Sequence, residues 1–199
     1  MKRISFYGDS FCATNSKDSW CNILAYKLDA EIYRFGVQGS SIWQTFLEFE
    51  KDKIKSDFMF FCWTEPSRLY HPTLPLTFSN KPIEGTDINV WDAATKYYRY
   101  LSYSEKDEIS YKYALSWFDK SVLSKYNSSC KIIQTWSIVK FPIYLDTGFF
   151  LNETCMEYAQ QRDYKKNYNF LFDPNHLTIE QNQNFAEKIY KIYKNNWID

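Results

Sequence analysis

"RISFYGDSFCA", residues 3–13, is an apolar run that stops on Gly-Asp-Ser. Its first part reads as a short buried strand, and the polar turn after it places Ser10 at the strand's carboxyl end. The next fifty residues decide the fold. "DSWCNILAYKLDA" (18–30) carries Trp20, Leu24 and Leu28 at helical spacing, with Asp18 or Ser19 available as cap. "EIYRFGV" (31–37) reads as a second strand and "SSIWQTFLEFEKDK" (40–53) as a second helix opened by serines. "SDFMFFCW" (56–63) is a third strand, apolar throughout as in a sheet buried on both faces. Alternating strands and helices imply right-handed crossovers and a central parallel sheet, the α/β class.

Residues 66–88 hold four prolines and no sustained period, so they read as a long ordered loop inserted after the third strand. Two helical patterns come next, at 89–102 and 110–126, and "CKIIQTWSIV" (130–139) reads as a fourth strand. The span 141–172 is aromatic and shows no period. A closing helix over 178–197 puts Phe185, Ile189 and Ile192 or Tyr193 on one face. No repeat or linker divides the chain, and 199 residues fit one domain, 1–199, with a sizeable core.

Composition excludes several classes of function. Twenty-four basic and twenty-four acidic side chains cancel, so no general field draws the chain to nucleic acid or an anionic membrane. The first residues lack an apolar segment of signal-peptide length, and no run is long enough to span a bilayer, which sets the expectation of a protein that is cytoplasmic or otherwise soluble without a signal peptide. The richness in Lys, Asn, Ile and Tyr is that of an AT-rich genome, bacterial or phage. Five cysteines (Cys12, Cys21, Cys62, Cys130 and Cys155) form no C-x-x-C pair, and the two histidines, His71 and His176, form no ligand pair. Reduced buried thiols, no metal and no cofactor are the expectation. Aromatic residues make up 20% of the chain, which serves a core first and a sugar-stacking cleft second. Nothing in the composition sets an oligomeric state.

In an open parallel sheet, ligands sit beyond the carboxyl ends of the strands. Ser10 lies there, as do Gly39 in "GVQG" (36–39) after the second strand and Thr64 in "CWTE" (62–65) after the third. "DPNHLT" (173–178) brings Asp173 and His176 in just ahead of the last helix. Each alone has an ordinary reading: Ser10 as a turn or capping serine, His176 as part of a helix start. Together on one rim, a serine, a histidine and a carboxylate are the residue types from which a nucleophile, its base and an orienter can be built.

These motifs resemble those of the SGNH (GDSL-like) hydrolases, in spacing over most of the chain and in letters over four short stretches. The resemblance implies a flavodoxin-like three-layer α/β/α sandwich and a triad of Ser10, His176 and Asp173. It also implies an oxyanion hole of the Ser10 and Gly39 N–H groups. The family's Gly-x-Asn-Asp is "CWTE" here, so Thr64 stands at the asparagine position as a third, shorter donor, and Arg34 takes the place of the asparagine ahead of the glycine motif. Asp9, Trp63, Glu65 and Arg68 flank these motifs and are expected to face the substrate. Glu65 and Arg68 also fit a plain ion pair stiffening the loop, or else Arg68 recognises a carboxylate or phosphate. His71 reads as a loop or lid residue, and Cys12 as a buried thiol on the turn after Ser10. The expected activity is hydrolysis of a small acyl ester, such as an O-acetyl on a small molecule or carbohydrate. Its rivals are a binding module that keeps the fold and an acyltransferase that passes the acyl group to a sugar hydroxyl.

Overall fold

The computed structural model describes residues 1–52, 55–78, 81–160 and 174–197. Strands β1 (Lys2–Gly8), β2 (Ala30–Arg34), β3 (Phe58–Trp63), β4 (Lys131–Trp136) and β5 (Phe149–Thr154) form one sheet in the order β2-β1-β3-β4-β5. Every neighbouring pair is parallel. The helices are α1 (Trp20–Lys27), α2 (Ile42–Asp52), α3 (Ile88–Tyr100), α4 (Ser104–Trp117), α5 (Cys155–Gln160) and α6 (Ile179–Trp197).

Alternation along the central strands builds two cores, because successive side chains leave a strand on opposite faces. Ile4 and Phe6 of β1 with Phe58, Phe60 and Cys62 of β3 face α1 and α6, where Trp20, Leu24, Phe185 and Ile189 close the layer. Tyr7, Met59, Phe61 and Trp63 face the other way, against Phe46 and Phe49 of α2 and Tyr111 and Leu115 of α4. The result is a central sheet between two helical layers, the three-layer α/β/α sandwich. Ser19 caps α1, its Oγ accepting from Asn22 N at 3.3 Å. No helix among the described residues is long and apolar enough to cross a membrane.

The structure differs from the sequence expectation in the span 141–172, which holds β5 and α5. Strand β5 is an edge strand with a register irregularity against β4, and its residues alternate poorly between buried and exposed. It is held from outside by Asp119, whose carboxylate accepts from Asp146 N and Thr147 N at 2.8 and 3.3 Å. Such a strand is fixed by tertiary hydrogen bonds that periodicity does not record. Helix α4 begins at Ser104, six residues before the pattern suggests, and runs into a π turn (Phe118–Val122) and a 3₁₀ turn (Leu123–Tyr126). Residues 66–78 and 81–87 contain neither helix nor strand. Leu69, Leu74 and Leu76 in that segment pack on Trp91, Ala94 and Tyr98 of α3, forming a small third core.

Candidate active site

Strand β1 ends against β3, and the chain leaves these two neighbours toward opposite layers, so the crevice of the doubly wound sheet opens between their carboxyl ends. Gly8 makes that end. It has φ +140°, and a Cβ there would lie 2.3 Å from the Cys62 carbonyl oxygen, so only glycine lets the two strands run this close. Asp9 then caps a 3₁₀ turn, Ser10–Cys12, with Oδ1 accepting from Phe11 N at 3.1 Å. Ser10 is the first residue of this turn, where an N–H has no partner within the turn.

His176 reaches the same point from the far end of the chain. Its Nε2 lies 2.7 Å from Ser10 Oγ, a full hydrogen bond. The turn that carries it, Pro174–His176, is unusual: Asn175 and His176 take φ +55° and +61° in succession. Left-handed backbone at two non-glycine residues persists only where surroundings impose it, at about 1–3 kcal/mol each. Here buried Asn175 does so. Its Oδ1 accepts from Thr14 N at 3.1 Å and its Nδ2 approaches Cys21 Sγ at 3.8 Å, tying the histidine turn to the loop that follows the serine. Phe11 adds an edge-on ring contact to the imidazole at 5.0 Å. Asp173 lies outside the described residues.

The carboxylate of Asp9 is fully buried and heavily engaged. Its Oδ2 accepts from Ser137 Oγ at 2.5 Å and Thr64 Oγ1 at 3.2 Å, and pairs with Arg68 Nη2 at 3.1 Å. Arg68 also reaches Glu65 Oε1 through Nε at 3.1 Å and the Ser40 carbonyl through Nη1 at 3.4 Å. A buried ion pair recovers its desolvation only with added hydrogen bonds, and this one has them on both partners. Three chain segments meet on one carboxylate: the turn after β1, the start of the proline-rich segment and the end of β4.

The glycine loop after β2 is fastened to the same turn. Val37 N and Ser40 Oγ both donate to the Gly8 carbonyl at 2.8 Å. Gly39 has φ +69°, and a Cβ there would meet Pro75 Cβ at 2.2 Å, so the proline-rich segment rests directly on it.

Of the residues that the sequence motifs single out, Ser10, His176, Gly39, Thr64, Asp9 and Arg68 belong to this rim. The Thr64 hydroxyl has one proton, and its donor contact is to Asp9. Arg68 is directed at Asp9 and Glu65, its side chain only 6% exposed. Glu65 is partly exposed and lines a wide groove of about 640 Å³ with Phe78, Tyr98 and Tyr103. Trp63 is not brought to the rim: it stacks on Phe61 in the core and donates Nε1 to Gln134 Oε1 at 2.8 Å. Burial pushes the Cys12 and Cys21 thiols well above the ordinary range, which leaves them inert as nucleophiles. Sequence reasoning misses Ser137 and Asn175, although both carry a signal. Ser137 follows the fourth strand on its carboxyl side, and asparagine between proline and histidine is a residue that tolerates left-handed backbone.

Among solved structures, the chain is similar to a protein described as lipolytic, of the G-D-S-L family, from Desulfitobacterium hafniense. That match has 11% identity and TM-score 0.52, over 96% of this chain and 99% of that one. It is also similar to the acetyl xylan esterase AlAXEase, with 14% identity and TM-score 0.50 over 96% and 98%. A family two carbohydrate esterase from Clostridium thermocellum aligns with 98% of this chain at 13% identity and TM-score 0.49, and the chain spans 64% of its length. No family model matches the chain, and no curated protein does. At these identities the likeness is one of fold: the chain has the architecture on which GDSL-type and related esterases are built.

Proposed function

We propose that this protein is a serine esterase that removes a small acyl group, an O-acetyl ester in particular, from a hydroxylated leaving group such as a carbohydrate. The observation that carries the reading is the 2.7 Å contact of Ser10 Oγ with His176 Nε2 at the switch point of the sheet. A serine hydroxyl becomes an effective nucleophile when a neutral imidazole takes its proton as the oxygen attacks. His176 is the base, and Asp173, three residues earlier in the sequence, is assigned to hold its Nδ1–H and to stabilise the imidazolium.

The attack forms a C–O bond between Ser10 Oγ and the ester carbonyl carbon, and the carbonyl electron pair moves to its oxygen. We assign the N–H groups of Ser10 and Gly39 as donors to that oxyanion, and the main role of Thr64 as a prop for Asp9. Collapse expels the alcohol, which takes the proton from His176. Water then repeats the sequence against the acyl-serine, with His176 accepting its proton, and releases the acid and the free serine. The open groove beside Glu65, with exposed Phe78 and Tyr103 on its walls, supports a sugar-like leaving group.

The test is direct. Wild type should hydrolyse para-nitrophenyl acetate and be labelled by a fluorophosphonate on the peptide that contains Ser10. Ser10→Ala should lose both, and His176→Ala should lose most of the turnover. A well-folded wild type that neither turns over nor takes label is a binding module on this fold. If acyl product appears on an added sugar in preference to free acid, the same acyl-serine serves a transferase.

A further inference from the structure

The first turn of α1 is bonded to both of the short turns that carry Ser10 and His176. Toward the Ser10 turn it sends two fully buried side chains. Trp20 Nε1 donates to the Phe11 carbonyl at 2.7 Å, and the Cys21 thiol donates to the Cys12 carbonyl at 3.8 Å. The Trp20 ring stands edge-on to Phe6, Phe60 and Phe185, with centroids 5.1, 4.7 and 5.1 Å away. Packing against the sheet and α6 therefore sets where the indole N–H points, and the Ser10 turn is hung from it.

Toward the histidine turn the same helix end is held by two buried asparagines. Asn182, in the first turn of α6, accepts from Trp20 N through Oδ1 at 2.8 Å and donates through Nδ2 to the Leu177 and Thr178 carbonyls at 2.9 and 3.0 Å. Asn175 accepts from Thr14 N at 3.1 Å and donates to Cys21 Sγ at 3.8 Å. Each amide thus uses its acceptor and its donor at once, which a hydroxyl-free apolar side chain of that size could not do. Asn175 precedes His176 and Leu177 follows it, so the backbone on both sides of the histidine is tied to the segment Thr14–Cys21. That segment in turn holds the carbonyls of the two residues after Ser10.

We infer that Trp20, Asn182 and Asn175 are positioning residues, which use the first turn of α1 as a common bracket to hold the Ser10 Oγ to His176 Nε2 separation at 2.7 Å. The inference rests on the esterase reading and adds to it the part of the molecule that sets its geometry. The need for a bracket is local. His176 stands in a turn with two successive left-handed residues, at the far end of the chain from Ser10, and no strand or helix contains both. Proton transfer from serine to imidazole requires hydrogen-bond reach between them, and a misplacement of about 1 Å costs about a hundredfold in rate.

The experiment removes one tie at a time with Trp20→Phe, Asn182→Ala and Asn175→Gly. Phenylalanine keeps a ring in the packed position without the N–H, and glycine keeps the left-handed backbone without the amide. On para-nitrophenyl acetate the folded fraction of each variant, fixed by urea unfolding, should lose about ten- to a hundredfold in kcat with KM changed less than about threefold. The second-order rate of fluorophosphonate labelling at Ser10 should fall in parallel. Asp119→Asn is the comparison, because it loosens a buried network at the approach to β5 and should leave kcat and labelling near wild type at whatever stability it loses. Should Asn182→Ala not fold, Trp20→Phe and Asn175→Gly decide the question. Losses of kcat no larger than that of Asp119→Asn overturn the inference, and the ties then serve stability alone. Full turnover in Asn175→Gly overturns the role of that amide, whose contribution is then left-handed backbone only. A folded wild type that neither turns over nor takes label fails the esterase reading and leaves no base to position, which is distinct from an active wild type with insensitive variants.

Discussion

Two fully buried carboxylates, Asp9 and Asp119, are held in different ways. Asp9 sits at the switch point with a cation, Arg68, and with hydroxyl donors from Ser137 and Thr64. Asp119 sits in the π turn after α4 and is held by neutral donors: Gln134 Nε2 at 2.7 Å and the N–H groups of Asp146 and Thr147. Convergent N–H donors alone satisfy a carboxylate well enough to bury it. The cation at Asp9 therefore does something that neutral donors do not. It joins the Ser10 turn to Glu65, to the Ser40 carbonyl and through them to the proline-rich segment and the glycine loop. Asp119 fixes the approach to an edge strand, whereas Asp9 and Arg68 register the loops that carry the proposed chemistry.

The widest separation between the two sites should come from Arg68→Met, which leaves Asp9 buried without its cation. Breaking one side of a buried pair costs about 3–5 kcal/mol, to be measured by urea unfolding. Turnover on para-nitrophenyl acetate should collapse even at temperatures where the variant remains folded. Asp119→Asn should cost less, about 1–3 kcal/mol, because one carboxylate oxygen becomes an amide facing N–H donors. Turnover of the folded fraction should stay near wild type. Equal losses of activity in the two variants would remove the distinction between a registering carboxylate and a structural one.

The sequence shows these two sites unequally. The first three strands, the turn after β1 and the final helix are legible because apolar runs and helical spacing record burial locally, and Ser10 falls where a strand run stops. Asp9 can be read as a turn residue but not as the partner of Arg68, 59 positions away, because the pairing depends on β1 and β3 lying side by side. Asp119 is less visible still, since its donors come from a loop that leads into a strand with little alternation of its own. That strand ends in "TCME", residues 154–157, where Thr154 and Glu157 bond each other's N–H at 2.8 Å as a capping box. The box is a signal for α5 that the aromatic irregularity around it hides.

Thr64→Val sharpens the account of Asp9 itself. The substitution keeps the shape and removes one of the donors to Asp9, leaving Arg68, Ser137 and Phe11 N in place. Stability should fall by about 1 kcal/mol, and kcat should fall less than about tenfold with KM little changed. A loss in kcat of about 10²–10³ with stability intact would reassign the hydroxyl to the oxyanion.

The smallest effect carries the contrast between charged and neutral support to the surface, where two helices start with the same device. In α5 the box is Thr154 with Glu157, whose carboxylate also pairs with Lys140 at 3.0 Å. Ahead of α6 it is Thr178 with Gln181, at 3.0 and 3.2 Å, with no charge in the box. The Thr154 N–H first, and Lys140 after it, hold the Glu157 carboxyl below its ordinary value of 4.5. A carboxyl lowered in the folded state contributes stability that is present above the unfolded value and is lost as pH falls through the folded one. The α5 box should therefore weaken below about pH 4.5 while the α6 box does not. Because Glu157 and Lys140 are both nearly half exposed, solvent screening keeps the effect to a few tenths of a kcal/mol. Glu157→Gln converts the first box into the second kind. It should cost a similarly small amount at pH 7 and remove the acid-side loss, which hydrogen exchange at the amides of Thr154 and Glu157 resolves better than global unfolding. If exchange at these amides keeps its acid dependence in Glu157→Gln, the dependence belongs to another carboxyl group, and charge in this box contributes nothing beyond what an amide supplies.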